Sequence, residues 1–130
     1  MSVNVDLAWL LEVAERAGER DPAPDDYGVP VAAVERSRAV IAGQDVYQGA
    51  YAKAAALCHT LGRLRWLERS NLRVAVAVAH GYLVASGAPV KLTQAGVTAL
   101  GQELTSPAAT AASVAAVLRT WRVDDGPASR

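Results

Sequence analysis

Phenylalanine is absent from this chain, cysteine occurs once, and neither sign of charge is in excess, with 13 Lys and Arg facing 13 Asp and Glu. The single cysteine, Cys58, excludes an intramolecular disulfide and zinc sites of the CxxC type, and it suits a reducing, cytoplasmic setting. A formal net charge of zero argues against a generic nucleic-acid binder, which needs surplus Lys and Arg to displace counterions from phosphates. No run approaches the roughly 18 apolar residues of a membrane span. The start, MSVNVDLAWLLEVAERAGER, lacks the basic head and apolar core of a secretory signal. Gly-rich phosphate loops, HExxH and GxSxG are missing too. These absences predict a soluble cytoplasmic protein with neither nucleic acid nor membrane as partner, and any charge-driven function must be local.

What is present sets the class. Alanine occurs 27 times, hydrophobic residues make up 52%, and there are only 3 Trp and 4 Tyr, a composition that favours closely packed helices over a sheet sandwich. A chain of 130 residues buries roughly two thirds of its unfolded surface and holds a core without disulfide or structural metal. The expectation is one all-α domain over 1–130, a compact bundle of about six helices, with a helix and linker over 1–25 and a flexible tail over 123–130.

Hydrophobic spacing places the elements. Leu7, Leu10, Leu11 and Ala14 recur at three and four, predicting a helix over Asp6–Ala17 stopped by Gly18. ERDPAPDDYGVP, with three prolines and a glycine, reads as an extended surface connection. Helices are predicted over Val31–Ile41, ending at Gly43, and over Tyr47–Leu61, closed by Gly62. From Asn71 to Ser86 runs the most apolar stretch, with Gly87 just beyond it as a left-handed cap. Val74 to Ala79 alternate large and small like a strand, but sixteen residues without a turn signal exceed the usual strand and favour a central, all-round apolar helix. Pro89–Leu92 reads as a short extended piece, and Thr93 and Thr110 as caps of helices to Leu104 and about Trp121.

Few residues suggest chemistry. His59 and His80 fall on predicted helices without an acidic neighbour at three or four, and read as packed or capped. Cys58, in KAAALCHT, reads as a buried inert thiol. The unusual feature is Arg63 to Arg73, RLRWLERSNLR, with four arginines against one glutamate just before the central helix. Amides at a helix start and the positive end of its dipole favour an anion there, and the planar arginine fork suits phosphate. An exposed, solvated basic loop is the alternative.

The stretch DVYQGAYAKAAALCHTLGR, the central helix ending in YLVASG, the C-terminal SVAAVLRTW and DYGVPVAAVERSRA resemble the Doc toxins of the Fic/Doc superfamily over roughly Asp26 to Trp121. That family's signature, His-x-Phe-x-(Asp/Glu/Asn)-(Gly/Ala)-Asn-(Lys/Gly)-Arg, falls on residues 65–73. Asn71 and Arg73 stand at its phosphate-contacting Asn and Arg. Arg65 stands at the histidine, Leu67 at the aromatic, Arg69 at the acidic residue, Ser70 at the small residue and Leu72 at the basic position.

The resemblance implies a bacterial toxin-antitoxin setting in which Doc proteins transfer a phosphoryl group, and Fic relatives an AMP group, from ATP to a protein hydroxyl. In the family the histidine is the general base and the acidic residue holds magnesium. A guanidinium cannot take that proton, and Arg69 replaces a cation-binding carboxylate with a second cation. The expectation is therefore a pseudoenzyme with no catalytic residue, no metal and no required cofactor. Arg65, Arg69, Ser70, Asn71 and Arg73 would bind a phosphate or other anion, such as ATP without magnesium, and Leu67 would anchor the loop. Trp66 would offer a flat contact to the anion or to a partner, an antitoxin-like or Doc-like chain, with filling of the bundle's edge as the alternative. The alternative is an active or rewired transferase, with Glu68 or His59 as base and Glu68 the one remaining metal ligand in the loop.

Overall fold

The computed structural model of the chain describes residues 5–123, and over these the fold is all-α. Its helices are α1 (Leu7–Ala17), α2 (Gly28–Ser37), α3 (Ala50–Arg63), α4 (Asn71–Ala85), α5 (Gln94–Thr105) and α6 (Ala111–Arg119), and a two-residue hairpin, β1 (Val40–Ile41) and β2 (Gln44–Asp45), lies between α2 and α3. The frayed tail expected over 123–130 falls outside the described residues except at Val123, whose amide donates to the Pro89 carbonyl at 2.7 Å. None of the described helices is long and apolar enough to cross a membrane.

The central pair is α3 and α4, with α2 and α6 laid on α3, α1 on α4, and α5 packed on α6 and against both members of the pair. Small side chains make this possible. Ala54, Ala55 and Ala56 of α3 and Ala75 and Ala79 of α4 are fully buried, so the two backbones approach closely and the larger Leu57, Leu61, Val74, Val78 and Leu83 fill the space around them. The alternating run Val74 to Ala79 is helical and sits at the middle of the bundle, as its length required.

Local signals end most helices. Asp6 accepts the Trp9 amide at 2.9 Å and Thr93 the Gly96 amide at 3.0 Å. Thr110 and Ser113 form a reciprocal capping box at α6. After α4 the chain turns through Gly87 (φ +81), whose amide donates to the Val84 carbonyl while Ala88 donates to Leu83, the full Schellman arrangement. Residues 89–92 are held by an isolated antiparallel bridge between Val90 and Arg122.

Both ends of α2 and of α3 differ from the sequence expectation. α2 begins at Gly28 rather than Val31, because Pro30 fits a first helical turn, where no amide partner is needed, and it buries with Val29. α2 also stops at Ser37 rather than Ile41. Ala42 and Gly43 both take positive φ (52 and 78), the two-residue hairpin turn, so Ile41 pairs with Gln44 and Val40 with Asp45. α3 starts after Gly49 (φ +86), not at Tyr47, and runs past Gly62 to Arg63. Gly62 is no stop. A Cβ there would meet the Leu104 side chain at 3.0 Å and Ala75 at 3.3 Å, so the glycine admits α5 and α4 against α3.

Candidate functional site

The loop Leu64–Ser70 joins the end of α3 to the start of α4. Its middle turns inward. Trp66 is fully buried and Leu67 nearly so, fixing the loop to the core, while Arg65, Glu68 and Arg69 stay outside. Asn71, the first residue of α4, tightens the turn. Its Oδ1 accepts the Trp66 and Leu67 amides at 3.1 and 3.0 Å, and its Nδ2 donates to the Leu67 carbonyl at 2.9 Å.

The arginines are brought to one face, and the α1–α2 connection lies across them. Asp21 is the key contact. Its Oδ1 accepts the Arg69 amide at 2.7 Å and the Ser70 amide at 3.1 Å, so a carboxylate from 49 residues away in sequence sits at the N-terminal end of α4. Desolvation alone would raise the Asp21 carboxyl; hydrogen bonds from Ser70 and Arg69 and the Arg69 charge outweigh it and hold the group below its ordinary 3.8. Because the folded value lies below the unfolded one, the stabilisation is present above pH 3.8 and is lost as pH falls below it.

Glu19 and Asp25 complete the strap. Arg65 Nη2 meets Asp25 Oδ2 at 2.9 Å, and Arg73 Nη1 meets Glu19 Oε1 at 3.4 Å. Arg73 Nε also donates to the Ala17 carbonyl at the end of α1. Arg69 donates to the Glu19 and Arg20 carbonyls at 3.2 and 3.0 Å, and the Ser70 hydroxyl accepts the Glu19 amide at 2.9 Å. The Asp25 amide donates to the Trp66 carbonyl at 2.7 Å. Gly18 permits this path, since a Cβ there would lie 2.5 Å from the Ala14 carbonyl and 3.0 Å from Asp21 Oδ2. Arg20 takes a left-handed φ of 56, a strained conformation for a residue with a side chain.

All seven sequence-predicted residues therefore meet in one region, but their geometry differs from the expectation in three respects. Trp66 offers no surface to a partner, because its ring is in the core. Asn71 spends three of its hydrogen bonds inside the loop, so a single Nδ2 proton remains for a ligand. Ser70 is occupied by the strap, its hydroxyl accepting the Glu19 amide and its own amide donating to Asp21. Glu68 is engaged by Arg69 at 3.5 Å. The residues that sequence reasoning missed are Glu19, Asp21 and Asp25. Their signal was charge complementarity, three acids in the proline-rich connection against three arginines about 45 residues later.

Beside the strap a groove of about 500 Å³ is lined by Glu19, Arg69 and Arg73 together with Leu72, Val76, Val97 and Gly101. It joins a charged end to an apolar wall between α4 and α5, the mixture that a flat or aliphatic group carrying an anion would fill.

Elsewhere, the isolated reactive groups are used up in packing. Cys58 is fully buried and desolvation pushes its thiol up to about 12. An aromatic disulfide reagent at neutral pH is expected to label it only as fast as the chain opens, with full reaction in urea; prompt native labelling would show the thiol to be accessible. His80 lies 6.4 Å from the Trp121 ring. Comparison with protein-family models, curated proteins and solved structures finds no match for this chain.

Proposed function

We propose that the chain is a catalytically degenerate Doc-like protein that acts by binding an anionic group, a nucleotide phosphate or an acidic segment of a protein partner, at the start of α4 in a cytoplasmic toxin-antitoxin setting. One observation carries this reading: the Arg69 and Ser70 amides just ahead of α4, and the side chains of Arg65, Arg69 and Arg73, hold oxygen ligands, and three of those ligands are carboxylates of the chain's own strap. A surface that organises carboxylates with backbone amides and arginine forks organises phosphate oxygens by the same contacts. The two exposed ion pairs contribute about 0–1 kcal/mol each, so a polyphosphate can displace them at little cost. Arg65, a permanent donor, supports binding over proton abstraction.

Isothermal titration with ATP, with and without magnesium, tests the nucleotide arm. Micromolar, magnesium-independent binding is expected, lost in Arg73→Ala and tightened in Asp21→Asn, which weakens the competing internal carboxylate. If neither wild type nor Asp21→Asn binds ATP, the nucleotide arm fails and an acidic protein segment is left, whose binding weakens between low and physiological salt. ATP-dependent labelling of any protein that disappears in Arg73→Ala would overturn the pseudoenzyme reading and restore a transferase.

A further inference from the structure

A second polar cluster lies away from the arginine loop. Arg36, near the end of α2, is half-buried, and among the described residues no carboxylate makes an ion pair with it. Its guanidinium is held instead by neutral groups. Nε donates to the Tyr47 hydroxyl at 2.8 Å, and the guanidinium carbon lies 5.3 Å from the centre of the Tyr47 ring. Nη1 reaches Thr60 Oγ1 at 3.1 Å and His59 Nδ1 at 2.8 Å. Tyr47 follows β2 by two residues, so Arg36 ties the stem of the hairpin to α3.

Donor and acceptor chemistry fixes the state of the imidazole. The Ala109 carbonyl, 3.1 Å from His59 Nε2, can only accept, so Nε2 carries the proton. The guanidinium can only donate, so Nδ1 must present a lone pair. The whole arrangement exists only while His59 is neutral.

We propose that the Arg36–His59 contact is a proton-sensitive latch: when solvent protonates His59 at Nδ1, Arg36 is expelled, its hold on Tyr47 is lost, and the Tyr47 end of the hairpin loosens from α2 and α3. Protonation would set two N–H donors and two positive charges 2.8 Å apart. Among the described residues no carboxylate pairs with His59 or Arg36 to absorb that charge. The charges that act on the ring are Arg36 from α2 and Arg63 one turn further along α3, both cationic. From the α5–α6 side it meets the Ala109 carbonyl, while the α5 carboxylate, Glu103, is taken by the Ser113 hydroxyl at 2.6 Å. Burial, with Arg36 and Arg63, keeps the imidazole below its ordinary 6.5, so the latch is shut at neutral pH and opens in the acid range. The folded value being the lower one, stability falls as pH drops below 6.5. The Lys53–Asp45 pair, 3.1 Å, holds β2 to α3 independently, so the release is local.

The test is an NMR pH titration of the whole chain from about pH 8 to about pH 5, reading the two imidazoles and amide exchange. His59 is expected to titrate with the amides of residues 40–47, whose protection relative to intrinsic exchange at each pH falls on the order of tenfold at the same midpoint while α4 stays protected. In His59→Gln, whose amide can accept from Arg36 and donate to Ala109, that coupled transition should vanish. Should this variant fail to fold, Tyr47→Phe serves: His59 still titrates but the hairpin no longer follows. Hairpin amides indifferent to the His59 titration would overturn the latch, as would a transition unchanged in either variant, or loss of α4 protection at the same midpoint.

Discussion

Trp66→Ala is expected to cost about 3–5 kcal/mol, the range for emptying a buried aromatic site. Trp66 is fully buried and heads the largest such side chains in the molecule, so truncation leaves a cavity beneath the loop as well as losing the burial itself. Against a total stability of about 5–15 kcal/mol for a domain of this kind, the variant sits near its unfolding threshold. The indole Nε1 is buried without a hydrogen-bond partner, which already costs the native state something. Trp66→Phe therefore loses much less than Trp66→Ala, since it keeps most of the volume and removes the unpaired donor. Urea denaturation followed by far-UV circular dichroism separates the two. A midpoint for Trp66→Ala equal to that of wild type would show that the ring is not a core element and would return it to the surface role expected from sequence.

The second large effect belongs to Asn71→Ala. Three hydrogen bonds, to the Trp66 and Leu67 amides and the Leu67 carbonyl, disappear together. At about 0.5–1.5 kcal/mol net for each, the loss is on the order of 3 kcal/mol. Asn71→Asp keeps both acceptor bonds but sets a carboxylate oxygen against the Leu67 carbonyl, so it falls between wild type and Asn71→Ala. Amide exchange at Trp66 and Leu67 reports the loop directly. If Asn71→Ala abolishes anion binding while stability and these two amides are unchanged, the side chain serves the ligand rather than the turn.

These two residues show how differently the loop could be read from the chain and from the fold. Leu67 reads as an anchor from its place at the aromatic position of the resemblance. Trp66 was ambiguous, since a tryptophan serves a core edge or a contact surface equally well, and only its burial decides. Asn71 was assigned to phosphate by its place in the resemblance. Its hydrogen-bond capacity, however, goes mostly to backbone groups four and five residues back, a local turn that residue identity alone does not disclose.

The strap and the hairpin mark the limit in another way. Ala42 occupies a left-handed turn that alanine seldom adopts, so the residues around it read as the end of a helix. Glu19, Asp21 and Asp25 lie in plain view in the connection after α1. Charges near each other in space but about 45 residues apart in sequence leave no periodic mark, and each of the three has several arginines to choose from.

By itself the sequence determined what depends on near neighbours: an all-α chain rich in alanine, the apolar central helix, the caps at Thr93 and Thr110, the left-handed Gly87 and the burial of Cys58. Each follows from interactions within a few residues, or from a composition that permits little else. Only the tertiary structure decided that Asp21 takes the two amides just ahead of α4, that Trp66 faces inward, and that Arg36 rests on a neutral His59 without a carboxylate. Those outcomes depend on which helix faces are brought together, and that is set by the summed packing of alanine-lined helices, which no single residue or motif encodes.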